Sequence, residues 1–234
     1  MSWILHDQEG QWEAGDWMVR VALQSNPHVR FFHHGEYLWG ASICPTDPSI
    51  PSTPRLTQTN SPDSPSSDFA QTSYPASDCY VRGEDLVAAY AERAPLPFAY
   101  QVYFCAMPSD SQRLCLELWL SVQTSTLEAH PTLLLNLDSG AGASQSVAST
   151  ETPGVVAFRS GTAGVVVHPL DQKDVSIDVT SHASAPIKAF GGFMEKGVIR
   201  RMRLQLVTSG VVIAPSEWGE IVSEFAASPL PLTA

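Results

Sequence analysis

Between residues 98 and 123 the chain reads FAYQVYFCAMPSDSQRLCLELWLSVQ, with an apolar residue at nearly every second position. Tyr100, Val102 and Phe104 alternate with Gln101, Tyr103 and Cys105, and Leu114, Leu116, Leu118, Leu120 and Val122 alternate with Cys115, Glu117, Trp119, Ser121 and Gln123. Successive side chains of a strand point to opposite faces, so this period of two predicts a long β-hairpin with one apolar face and one mixed face. A slip of one residue would carry every leucine to the wrong side, which fixes the parity of the pairing and requires a turn of odd length. A five-residue turn over 108–112 pairs Phe104 with Leu116, Val102 with Leu118 and Tyr100 with Leu120, and sets Cys105 beside Cys115, Tyr103 beside Glu117 and Gln101 beside Trp119; a three-residue loop would shift these pairs by two and keep the faces.

The rest of the chain supports an all-β reading. Only 16% of the 234 residues are charged and lysine occurs three times, while Val, Ser, Thr and Leu are abundant, a usage that suits strands better than surface helices. Short β-branched runs separated by Gly, Pro, Ser or Asp recur from residue 131 onward: PTLLLNL, GVVAFRS, AGVVVHPL, VSIDVTS, PIKAF, VIRRMRLQLV and GVVIAP. Strands are also expected over residues 2–6 and 17–24, and 28–44 reads as a second hairpin turning on Gly35-Glu36. That turn places His28, Arg30, Phe32, His34, Tyr37 and Trp39 on one side. Residues 78–93 fit either a short helix or, as preferred here, two strands around Gly83-Glu84. In the tail, Pro215 and Ser216 precede Trp218, Ile221, Val222 and Phe225 at helical spacing, which predicts a docked terminal helix.

The expected architecture is therefore a large antiparallel β-sandwich in one domain spanning 1–234. Residues 45–77 are rich in Pro, Ser, Thr and Asp, with too little apolar surface to offset their ordering entropy, and read as a flexible surface insertion or linker.

Several function classes are disfavoured at this point. A formal net charge of −11 with no run of Lys or Arg argues against nucleic acid, whose binding rests on neutralising phosphates. The N-terminus has no basic and apolar leader and no stretch is long enough to span a bilayer as a helix, so a soluble, cytoplasmic protein without membrane contact is expected. Cys44, Cys79, Cys105 and Cys115 lack metal-binding or redox spacing and are expected as reduced thiols, with Cys105 and Cys115 the one pair the hairpin would bring together. His28, His33, His34 and Glu36 are the only local metal-ligand group. His33 and His34 would point to opposite faces of a strand, and His28 and His34 would lie about 20 Å apart, so neither a metal nor another cofactor is expected. His130, His168 and His182 are isolated, and no Gly-x-Ser-x-Gly, Walker or dinucleotide motif is present.

One short string carries a resemblance. In LLLNLDSGAGAS, Asp138, Ser139, Gly140 and Ala141 follow an apolar strand, and this resembles the Asp-Ser/Thr-Gly-Ala signature of retroviral-type aspartic proteases. The resemblance implies a catalytic Asp138. It covers about ten residues; Asn136 interrupts the apolar strand and no second Asp-Ser-Gly occurs, so a carboxylate pair would require a homodimer. A strand ending in a glycine-rich turn is the reading preferred for this segment.

The mixed face of the central hairpin is the stronger candidate. Gln101, Tyr103, Glu117 and Trp119 combine flat rings with amide and carboxylate groups, a surface suited to a sugar ring or another small polar ligand. Arg200, Arg201 and Arg203 form the one basic cluster, with Arg201 and Arg203 on a common side where the excess of acidic residues can pair with them. The expected function is a non-catalytic binding or interaction module for a small polar ligand, a glycan or a protein. The alternative is a hydrolase drawing its carboxylates from Glu117 or Asp138.

Overall fold

A computed structural model describes residues 2–46, 73–107, 112–139, 147–177 and 186–229. The first strands in chain order are Ile4–His6 (β1), Glu9–Ala14 (β2), Trp17–Ala22 (β3), His28–His33 (β4), Glu36–Thr46 (β5), Asp78–Arg82 (β6), Asp85–Tyr90 (β7) and Ala99–Ala106 (β8). They are followed by Arg113–Gln123 (β9), Thr132–Ser139 (β10), Val147–Ser149 (β11), Val155–Phe158 (β12), Ala163–Val167 (β13), Val175–Ile177 (β14), Ile187–Phe190 (β15) and Ile199–Ser209 (β16). A 3-10 turn over Pro169–Asp174 precedes β14, and a helix, α1, runs over Pro215–Ala227.

The strands form two eight-stranded antiparallel sheets, in the orders β1-β2-β3-β4-β5-β10-β15-β14 and β6-β7-β8-β9-β16-β13-β12-β11. The expected antiparallel β-sandwich is what the chain forms. The inward residues of both sheets meet in one apolar core: Val19, Val21, Phe31, Trp39, Ile43, Leu133 and Leu135 from the first sheet, and Leu86, Tyr100, Phe104, Leu116, Leu118, Val165 and Leu204 from the second. Tyr90 and Tyr100 stack at 4.3 Å inside it, and Trp39 meets Phe158 edge-on at 5.3 Å across the sandwich. Each such ring removes a large apolar area from water, at about 25 cal/mol per Å2, and this burial holds the two layers together.

The central hairpin keeps the predicted faces and takes the pairing shifted by two rather than that of the five-residue turn. Phe104 lies opposite Leu118, Val102 opposite Leu120 and Tyr100 opposite Val122, a register two residues away from that expected. Parity determines which side chains face the core; it does not determine how many residues turn the corner, and residues 108–111 lie outside the described ones. Cys105 consequently faces Glu117 rather than Cys115, Tyr103 faces Trp119 and Gln101 faces Ser121. None of the four cysteines is in a disulfide.

The second hairpin is corrected in a similar way. Its two-residue turn is His34-Gly35, with φ of 51° and 79°, and not Gly35-Glu36. Positive φ at both central positions is the type I′ geometry that matches strand twist, and glycine is favoured at the second of them. Leu38 is an extra residue opposite Phe31 and Phe32, and this bulge turns Trp39 inward to stack on Phe31 at 4.7 Å. His28, Arg30, Phe32 and Tyr37 stay on the outer side.

Residues 78–93 hold the preferred pair of strands, β6 and β7. The strand over 9–14 had no counterpart in the sequence reading, and the run GVVIAP is not a strand. Val211 and Val212 are exposed there, and Ile213 alone is buried, beneath α1. Of the insertion expected at 45–77, Pro45 and Thr46 complete β5 and Tyr74 is buried, its N–H donating to Asn26 Oδ1 at 3.3 Å; residues 47–72 lie outside the described ones.

Helix α1 docks as predicted, burying Trp218, Ile221 and Phe225 on the outer face of the second sheet against Val155, Ala157, Val166 and Val207. Pro215 occupies its first turn and the Glu217 carboxylate accepts the Ala214 N–H at 2.6 Å. Gly164 on β13 makes this close approach possible: a Cβ there would lie 2.8 Å from the Trp218 ring and 2.7 Å from the Val156 carbonyl. The helix thus covers one half of the sheet's outer face and ends at β16.

Candidate functional site

The other half of that face, toward β6, contains the four residues singled out in the hairpin. Strand pairing aligns Tyr80, Val87, Tyr103, Trp119 and Arg203 in one row across β6, β7, β8, β9 and β16. Tyr103 and Trp119 are half-buried, with ring centroids 5.8 Å apart at 35°, and together make a tilted aromatic platform. Gln101 is exposed beside it, its Oε1 3.5 Å from the Tyr103 hydroxyl. Ser121 and the exposed Arg201 continue this polar margin across the sheet.

Glu117 belongs to the same face but not to its solvent-facing surface. It is 2% exposed, and its Oε1 accepts both the Trp119 indole N–H at 2.5 Å and the Arg203 Nε–H at 2.5 Å. Arg203 is itself 6% exposed. Its Nη2 donates to Ser228 Oγ at 2.6 Å, its guanidinium lies 5.0 Å from the Phe225 ring, and its backbone N–H donates to Asp171 Oδ2 at 2.9 Å. A cation at the C-terminal end of α1 also faces the negative end of the helix dipole. Glu117 and Arg203 therefore neutralise each other in the interior, tie the helix end to the sheet, and fix the plane of Trp119. The sequence placed Glu117 correctly in the row of polar residues. Its partner comes from 86 residues further along the chain, and no local pattern announces that.

His168 borders this network. Its ring meets Phe225 edge-on at 5.1 Å and its Nδ1 accepts the Leu170 N–H at 3.3 Å, capping the 3-10 turn. Burial, followed by the charge of Arg203, lowers its pKa below the ordinary histidine value. Beside these groups, a cleft of about 140 Å3 is lined by Arg113, Cys115, Gln205, Phe225 and Ser228. Among the described residues, Gln205 Oε1 and Arg203 Nη1 are buried and meet no hydrogen-bond partner.

Asp138 lies elsewhere. It is exposed on the outer face of the first sheet, at the end of β10, and accepts the Tyr37 hydroxyl at 3.1 Å. Burial, then the Asp138 carboxylate, pushes the Tyr37 phenol well above its usual range. His28 stands nearby with its pKa lowered by burial and by Arg30. Glu117 and Asp138 are thus on opposite outer faces of the sandwich and do not form a carboxylate pair. Gly140 and Ala141 of the protease-like string, and His182, lie outside the described residues.

The histidines expected to point apart do not. His34 has left the strand for the left-handed turn conformation, which folds its ring back to 4.2 Å from that of His33. Asp16, in the neighbouring turn between β2 and β3, brings Oδ1 to 3.5 Å from His34 Nδ1. Read as a His-Gly type I′ turn, the sequence itself would have moved His34 off the strand face.

No protein-family model matches this chain, and no curated protein matches it in sequence. Among the described residues no helix is long and apolar enough to cross a membrane.

Proposed function

We propose that this β-sandwich is a binding module for a polyhydroxylated ligand of the neutral oligosaccharide class, seated on Tyr103 and Trp119. The observation that carries this reading is the platform itself: two partly exposed rings side by side on rigid adjacent strands, with Gln101, Ser121 and Arg201 at its margin. A pyranose presents a flat C–H surface that packs on such rings and hydroxyls at its rim that exchange hydrogen bonds with planar polar groups. Preorganisation supports the same conclusion. The Trp119 ring is held by Glu117, which Arg203 holds in turn, so little rotamer freedom remains to be lost on binding.

The two carboxylates that a hydrolase would draw on stand on opposite faces, and Glu117 is already engaged by two donors. The binding reading needs neither of them to meet substrate. Its test is a titration of the protein with a panel of neutral oligosaccharides, followed by tryptophan fluorescence and calorimetry. Binding that is abolished by Trp119→Ala and by Tyr103→Ala, in variants that melt within a few degrees of the parent, supports the proposal. Binding that both variants retain, or no saturable binding across the panel, overturns it.

A further inference from the structure

At the end of the first sheet farthest from the β3–β4 loop, two tight hairpin turns lie side by side. Gly15-Asp16 connects β2 to β3, and His34-Gly35 connects β4 to β5. Because β3 pairs with β4 through Trp17 and His33, both tips are at the same edge, and the His34 N–H donates to the Asp16 carbonyl at 2.9 Å. The juxtaposition is built into the backbone. One ligand atom from each of Asp16, His33 and His34 lies within 4.8 Å of the others. We infer that Asp16, His33 and His34 form a binding site for a divalent transition-metal ion of the zinc class.

The geometry favours this ion class. Donors bound about 2.0–2.1 Å from a tetrahedral zinc stand about 3.3 Å from one another. Asp16 Oδ1 and His34 Nδ1 are already 3.5 Å apart, close to that edge length, before any ion draws them together. Two imidazoles and one carboxylate suit zinc and its neighbours, whereas calcium and magnesium favour oxygen-only sets.

Two further features fix the ligands. The His33 ring stacks on the buried Trp17 indole, with centroids 4.0 Å apart and planes at 23°. His34 is a non-glycine residue at φ 51°, a conformation rare for most side chains and tolerated by histidine, and this is what turns its ring toward His33. Three protein ligands leave a coordination position for water or a small molecule. His33 also lines a cleft between the sheets of about 250 Å3, with Trp39, Thr162, Thr208 and Ser209 on its walls, so the ion would sit at the rim of a space able to admit such a molecule. This site lies on the first sheet and does not depend on the aromatic platform of the second.

The experiment uses the untagged full chain, stripped with a chelator and titrated with Zn2+ by calorimetry, with thermal unfolding as a second readout. The variants keep the local fold: His34→Asn preserves a residue that accepts positive φ, His33→Phe preserves the stack on Trp17, and Asp16→Asn preserves shape. One Zn2+ bound per chain, a rise in the melting temperature, and a loss of at least tenfold in affinity in each variant, with the metal-free melting temperature within a few degrees of the parent, is the expected result. Absence of saturable binding overturns the inference. So does parental affinity in all three variants, which would place the ion at another histidine and acid pair such as His130 with Glu128.

Discussion

The buried Glu117–Arg203 pair offers the sharpest test of how this face is held together. Glu117→Gln is nearly isosteric: the amide oxygen can still accept from Trp119, but the negative charge is gone and Arg203, 6% exposed, is left uncompensated. Breaking one partner of a buried ion pair costs about 3–5 kcal/mol, because the remaining charge has neither water nor counter-ion. At about 2–4 °C per kcal/mol for a chain of this size, the melting temperature should fall by about 6–20 °C. Arg203→Met should cost a comparable amount, since it strands Glu117 and removes the bond to Ser228. In the double variant no charge is buried, so its loss should be smaller than the sum of the single losses by at least about 2 kcal/mol.

Guanidinium unfolding of the parent, both single variants and the double variant measures this cycle, with tryptophan fluorescence following the six tryptophans together and circular dichroism the sheets. The reasoning is refuted if each single variant loses less than about 1 kcal/mol, the range of an exposed pair. Additive single losses would also refute it, because they would mean that the two side chains contribute independently.

Other consequences are shorter to state. Gly164→Val should destabilise the protein by about 1–3 kcal/mol, because its side chain meets the Val156 carbonyl and the Trp218 ring; denaturant unfolding measures the loss, and a change near zero would remove Gly164 as the reason the helix lies so close. Because His168 and His28 have depressed pKa values in the folded state, they favour the native form above the unfolded histidine value of about 6.5, and this stability is lost as the pH falls from there through their folded values. His168→Gln should flatten that acid limb, and a parent whose stability does not change between neutral pH and pH 5 would contradict the assignment. Burial, then Asp85, pushes the Cys105 thiol far up, so in native protein it should resist iodoacetamide longer than the half-buried Cys79 and Cys115, as peptide mass mapping would show.

The sequence revealed those features that depend on which face a side chain occupies. Alternation from Tyr100 to Phe104 and from Leu114 to Val122 gave the hairpin and its apolar side, and the spacing of Trp218, Ile221 and Phe225 gave the docked helix. Distances along a strand are a different matter. The central hairpin pairs two residues away from the expected register because either register puts the leucines inward, and a hydrophobic pattern cannot distinguish states that bury the same side chains. Leu38 shows the converse: one bulged residue reverses the parity of the strand, and Trp39, expected on the same side as Tyr37, turns to the other side and stacks on Phe31 in the core.

The functional residues depend on a third kind of information, the order of strands within a sheet. β16 enters between β9 and β13, although β10 to β15 all separate it from β9 in the chain, and this insertion sets Arg203 directly opposite Trp119 and two residue pairs from Glu117. Had β16 joined at an edge, Glu117 would lack this partner and be available to a ligand, the role expected of it from the sequence. Paired with Arg203, it serves instead to orient Trp119. The same logic holds at the far end of the first sheet, where the pairing of β3 with β4 brings Asp16 to His34 across two turns that are each ordinary in sequence. In both places the chemistry arises where strands distant in the chain, or turns separated by a strand, become neighbours, and substitutions that preserve strand pattern while removing Arg203 or His34 separate that contribution from the stability of the fold itself.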